Sequence, residues 1–80
     1  MVLPRQDTGR KISRLTKGNW DRFEHLPGKR TAAIACPMCD HLFSVVNHQI
    51  TADGSCSPSV VCPHRDCTFH QFVQLLGWET

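Results

Sequence analysis

Two pairs of cysteines constrain this 80-residue chain more than any other feature: Cys36-Pro37-Met38-Cys39 and Cys62-Pro63-His64-Arg65-Asp66-Cys67, separated by the 22 residues from Asp40 to Val61. Two thiolates on a tight Pro-containing turn point the same way. Two such turns close a four-sulfur cage of the kind that Zn2+ prefers in closed structural sites. The spacing therefore predicts one structural Zn2+ held by Cys36, Cys39, Cys62 and Cys67. His70, three residues after Cys67, is the alternative ligand, replacing Cys62 in a Cys3His set. Cys56 reads as an unpaired surface or half-buried thiol outside the set.

A chain of this length buries too little apolar surface to be comfortable without a metal, disulfides or a partner. Zinc binding contributes ~10–16 kcal/mol in finger-sized peptides, against ~5–15 kcal/mol for the net stability of a whole domain. A disulfide framework is the competing reading, but five cysteines is an odd count, and the start Met1-Val2-Leu3-Pro4-Arg5-Gln6-Asp7 has no apolar signal core. No run approaches the ~18 apolar residues that span a bilayer. These features predict a soluble protein of a reducing cytoplasm, with no membrane partner.

Charge is distributed unevenly. Residues 1–30 hold eight basic side chains against three acidic ones, whereas residues 31–80 hold Arg65 alone against four acidic ones, giving +5 and −3. Residues 1–18 carry scattered Ile12 and Leu15 and read as a basic, flexible arm with room for a helical turn. Residues 19–80 read as a single zinc-binding domain with its cysteine-pair core at 36–78. Arg5, Arg10, Lys11, Arg14, Lys17, Lys29 and Arg30 are the candidate contacts to a partner or to nucleic acid.

Trp20, Phe23 and Leu26, at three-residue intervals after Asn19, predict a short capped helical turn that ends at Pro27-Gly28. Thr31–Ala35 reads as a strand entering the first cysteine turn. Leu42–Ile50 reads as the longest strand, Asp53-Gly54 as a hairpin turn, and Ser57–Val61 as a return strand kept at an edge or bulge by Pro58. At the C-terminal end, Phe69, Phe72, Val73 and Leu76 fall at i, i+3, i+4 and i+7 between Asp66 and Gly77, which predicts a short amphipathic helix. The expected fold is thus a small zinc-stapled α+β domain, a knuckle plus β-hairpin plus C-terminal helix in a treble-clef-like arrangement. A final strand in place of the helix gives a three-stranded zinc ribbon.

The stretch His48-x-Ile50-Thr51-x-Asp53-Gly54, Ser57-Pro58-Ser59, Cys62-Pro63-x3-Cys67-x-Phe69-His70-x-Phe72-Val73-x-Leu75-x-Gly77-Trp78, with the Cys36-x2-Cys39 knuckle before it, resembles a set of small phage and prophage proteins with zinc-ribbon-like cysteine pairs. The resemblance covers Cys36 to Trp78, about half the chain, and leaves out the first 30 residues. It implies a viral or prophage origin and a metal-stapled fold, and no mechanism. Cys56 lies outside the cysteine pairs that the resemblance implies.

Enzyme chemistry finds little to stand on. A thioredoxin-like Cys-x2-Cys needs a βαβ scaffold, a zinc deaminase needs a His-x-Glu, and a hydrolytic zinc keeps an open coordination position that four cysteines would fill. A phosphate loop and a Gly-x-Ser-x-Gly elbow are both absent. Binding remains, in two forms. One is docking on a host protein or nucleoprotein complex, steered by opposite charge on the two halves. The other is direct nucleic-acid contact through the basic N-terminal segment, although residues 68–76 lack the Lys or Arg that a groove-reading helix carries.

Overall fold

In a computed structural model, residues 1–26 and 28–79 are described, with the side chains of all of them except His25, Leu26 and Lys29. The centre is a three-stranded antiparallel sheet of β2 (Trp20–Leu26), β3 (Lys29–Ala35) and β4 (Leu42–Ser44), with β3 in the middle. Thr31, Ala32, Ala33, Ile34 and Ala35 are all buried. A strand covered on both faces reads as a continuous apolar run rather than an alternating one. Its small alanines let both faces pack closely.

Alternation along β3 then divides the interior in two. Ala32 and Ile34 join Trp20, Cys36, Val45 and Phe69 in the main core, while Ala33 and Ala35 face the other way against Leu15, Ile12 and Phe23. The cover over that second face is the loop 9–18, whose one regular piece is a 3-10 turn at Ile12–Arg14.

The remaining strands are short pairs. β5 (Gln49–Ile50) and β6 (Cys56–Ser57) form a hairpin, and β7 (Val60–Val61) pairs antiparallel with β8 (His70–Gln71). β1 (Val2–Leu3) pairs parallel with β9 (Gln74–Leu75), so the first residues of the chain close the structure against nearly the last.

Several expectations are corrected. No C-terminal helix forms: residues 70–75 make two short strands, and both the knuckle–hairpin–helix arrangement and the α+β class give way to small sheets with one 3-10 turn. Phe69 and Val73 are buried, but Phe72 is 75% and Leu76 56% exposed, so the apparent helical stripe is not the buried set. Extended backbone wins because its polar groups find partners on the preceding strand β7 and, far away in sequence, on β1. The helical turn expected at Trp20–Leu26 is likewise a strand, here because the adjoining β3 supplies its ladder, from Trp20↔Ile34 to Leu26↔Lys29. Pro27 of the expected Pro-Gly turn lies outside the described residues.

The long strand expected over Leu42–Ile50 is broken at Val45, which turns inward to the core, and His48 N–H donates to the Val45 carbonyl to shape the turn between β4 and β5. The return strand is likewise divided at Pro58. Residues 1–18, expected as a flexible arm, instead lie along the body. Trp20 N–H donates to the Pro4 carbonyl, Gln6 N–H to the Trp20 carbonyl, and Leu76 N–H to the Leu3 carbonyl. Leu3 and Leu15 are the apolar anchors.

Candidate metal centre

The two cysteine turns sit at corresponding places on two antiparallel strand pairs. Cys36 follows β3, and its N–H donates to the His41 carbonyl just before β4, while Asp40 N–H donates back to the Cys36 carbonyl. Cys62 follows β7, and its N–H donates to the Phe69 carbonyl just before β8. Strand pairing thus aims both turns at one point. It brings Cys36 Sγ to 3.7 Å from Cys67 Sγ and Cys39 Sγ to 3.6 Å from Cys62 Sγ, so each close pair takes one sulfur from each turn. All four sulfurs lie within 4.8 Å of one another and can hold a metal ion. All five cysteines are free thiols.

Backbone donors prepare the sulfurs for charge. Met38 N–H reaches Cys36 Sγ at 3.4 Å. Burial raises the proton affinity of Cys36, but the N–H groups of Cys39 and Met38 and the sulfurs of Cys67 and Cys39 together bring the thiol below its ordinary range. Cys62 is pushed up to about 12, by burial first and by the three neighbouring sulfurs after it. For Cys67 the donated Phe69 N–H lowers the proton affinity, as does the Cys62 sulfur, but burial and the sulfurs of Cys39 and Cys36 together leave the thiol above its ordinary range. Four thiolates this close repel one another, and a cation at the centroid is what lets them ionise together.

Other candidates fall elsewhere. His70 is outside the sulfur group, with Nε2 at 2.6 Å from Ser59 Oγ. His41 and His64, one from each turn, pack ring to ring at 5.3 Å beside the centre. Cys56 is buried rather than at the surface; its Sγ lies 3.8 Å from the Gly54 carbonyl, and burial pushes its thiol up to about 11.

The basic candidates separate into two groups. Arg5 pairs with buried Asp21 at 3.3 Å, and Asp21 also accepts from Thr8 N–H and Oγ1. Arg30 lies 4.3 Å above the Trp78 ring and pairs with Glu79 at 3.0 Å. Arg10, Lys11, Arg14 and Lys17 are exposed on the loop 9–18. The Lys29 side chain lies outside the described ones.

Two structural features escape the sequence reading. Arg22 donates to the Trp78 carbonyl at 2.8 Å and shares the Trp78 ring with Arg30, while the Trp20 and Trp78 rings pack at 5.7 Å, tilted by 47°. The outer edge of β2 carries a cleft of about 610 Å3, lined by Arg10, Ile12, Arg22, Phe23, Glu24 and Arg30. The available signal was alternation: once Trp20–Leu26 is taken as a strand, Trp20 and Arg22 share a face with Arg30 and Ala32 across the hairpin.

The chain matches no protein-family model, no curated protein and no solved structure. No helix among the described residues is long and apolar enough to cross a membrane.

Proposed function

We propose that this is a small non-enzymatic accessory protein, of the phage type that its cysteine pairs resemble, stapled by one structural Zn2+ and acting by docking on a host protein or nucleoprotein complex. The observation that carries the reading is the four-sulfur cluster. Zinc–sulfur bonds of ~2.3 Å in a tetrahedron set sulfur–sulfur edges near ~3.8 Å, close to the 3.6 and 3.7 Å separations of the two cross pairs. Four sulfurs fill every tetrahedral position. A zinc so enclosed has no place for water or substrate and serves to hold the two turns together. The reducing cytoplasm of a host cell keeps such thiols available for metal.

Docking is supported by what the surface offers: an ordered basic loop, and apolar side chains at Phe72, Leu76, Val61, Val2 and Met1 that are more than half exposed. Metal analysis of the purified protein should find one zinc per chain. Chelation, or Cys39→Ala, should abolish the folded circular dichroism of the C-terminal half. A metal-free protein, or a spectrum unchanged by chelator, overturns the zinc. Failure of the full-length protein to co-purify with any host assembly overturns the docking.

A further inference from the structure

We propose that the outer edge of β2, together with the loop 9–18, is a nucleic-acid-binding groove that holds a sugar–phosphate backbone. The inference names the partner class for the docking reading above and rests on it. Four exposed cations, Arg10, Lys11, Arg14 and Lys17, fall within eight residues without a carboxylate among them, and none belongs to an ion pair among the described residues. Their loop is held in place rather than loose. Leu15 and Ile12 pack on Ala33 and Ala35, Gly18 N–H donates to the Ala35 carbonyl, and Gln6 Oε1 accepts from Thr16 N–H, Thr16 Oγ1 and Asn19 Nδ2. Cations fixed in advance lose less freedom on binding.

The cleft of about 610 Å3 adjoins a second of about 360 Å3 that shares Arg10 and Arg22 and adds Arg5, and the two make one trough along the strand edge. Four guanidinium groups line it. Of the carboxylates beside them, Asp21 is engaged by Arg5 and Thr8, Asp7 by the Gly9 N–H and Glu79 by Arg30, which leaves Glu24. The guanidiniums crowd one another: burial first, then Arg30 and Arg5, lowers the proton affinity of Arg22. An anion in the trough relieves that repulsion.

Phosphate is the anion that guanidinium forks match in pairs, and half-buried Phe23 and Ile12 in the trough give a base an apolar surface to stack on. An acidic peptide would use the forks but not that surface. Sheet alternation puts the loop and Phe23 on the face opposite the main core, to which Cys36 and Cys62 belong, whereas Arg22 and Arg30 rise from the core face, where Arg30 already pairs with Glu79.

The test titrates zinc-loaded full-length protein into a labelled mixed-sequence single strand, its duplex, and polyglutamate of equal length, by fluorescence polarisation. For four phosphate contacts, affinity for nucleic acid should fall about 50-fold for the single strand, and about 150-fold for the duplex, between about 50 and about 200 mM salt. Changing Arg10, Lys11, Arg14 and Lys17 together to Gln should remove most of that salt dependence, whereas Arg65→Gln should leave it unchanged. No salt-dependent binding, equal affinity for polyglutamate, or an unaltered quadruple variant overturns the proposal. Should the variant fail to fold, the wild-type comparison with polyglutamate decides alone. Nucleic-acid binding lost with zinc and host co-purification intact removes this inference only; loss of zinc or co-purification strikes the docking reading instead.

Discussion

Gly54 shows how closely two backbones can be made to approach by one residue. Its φ of +89° belongs to the region that side chains resist, and a Cβ there would run into the Leu75 carbonyl oxygen and stand 2.9 Å from the Leu75 carbonyl carbon. The same contact is bonded, with Leu75 N–H donating to the Gly54 carbonyl at 2.8 Å. Gly54→Ala should therefore cost at least ~1–3 kcal/mol from backbone conformation alone, with the steric overlap added to it. Chemical denaturation of the zinc-loaded protein reads the loss; a midpoint unchanged from wild type contradicts the close approach.

Next to Gly54 in the hairpin, Cys56 makes a prediction about pH. Its thiol is neutral in the folded protein up to about 11, against an ordinary value of 9.0, because burial disfavours the thiolate. A raised proton affinity in the folded state contributes stability that is complete below the unfolded value and declines as pH rises. The loss should fall between pH 9 and about 11 and amount to ~2–3 kcal/mol. Cys56→Ala should flatten the stability profile across that window and leave metal content intact. A steep slope surviving the substitution assigns the titration to another group.

At the scale of elements, the cysteine turns were legible because each is local: the ligands of one knuckle are three or five residues apart, and the Pro-containing turn needs no distant partner to form. Thr31–Ala35 as a strand and Asp53-Gly54 as a turn were legible for the same reason, since Asp53 Oδ1 accepts from Thr51 Oγ1 and Ser55 N–H within the turn itself. What could not be read was any element decided by a remote partner. Phe69 to Leu76 satisfies a helical period, and pairing settles the segment as strand: His70 and Gln71 with Val60 and Val61, and Gln74 and Leu75 with Val2 and Leu3, some seventy residues away. The groove on β2 was hidden with it, because Arg22 and Arg30 come together only across an antiparallel register. Loop 9–18 depends similarly on Leu15, which is buried against Ala33 and Ala35. Leu15→Ala should cost ~2–3 kcal/mol and act first on the loop. Amide exchange should accelerate at residues 10–18 ahead of the cysteine turns, with zinc retained; uniform acceleration everywhere would show that the loop and the core open as one unit.

Across the whole molecule, the first seven residues join parts that the four-cysteine cluster does not reach. The N-terminal ammonium donates to the Phe72 carbonyl at 2.9 Å, Gln74 N–H to the Met1 carbonyl, and Leu3 is buried in the main core beside Leu75 and Trp20. Beyond β1, the Pro4 carbonyl and Gln6 N–H serve Trp20 from its open side, and Gln6 ties the loop to Asn19. Removal of residues 1–7 would leave the N–H groups of Trp20 and Gln74 without these partners and uncover the apolar surface of the main core on which Leu3 packs. Loss of a buried Leu alone costs ~2–5 kcal/mol, and a domain of this length is held by only ~4–12 kcal/mol. We expect the truncated, zinc-loaded protein to melt at least ~8 °C below the full chain, since ~1 kcal/mol moves the midpoint of so small a domain by ~4–8 °C. The cysteine turns should still bind one zinc per chain, because their ligands and the strands that aim them lie outside the deletion. A solvated arm makes the opposite prediction, an unchanged midpoint. Thermal unfolding of the two proteins, each with its zinc content measured, distinguishes a structural N-terminal segment from a dispensable one.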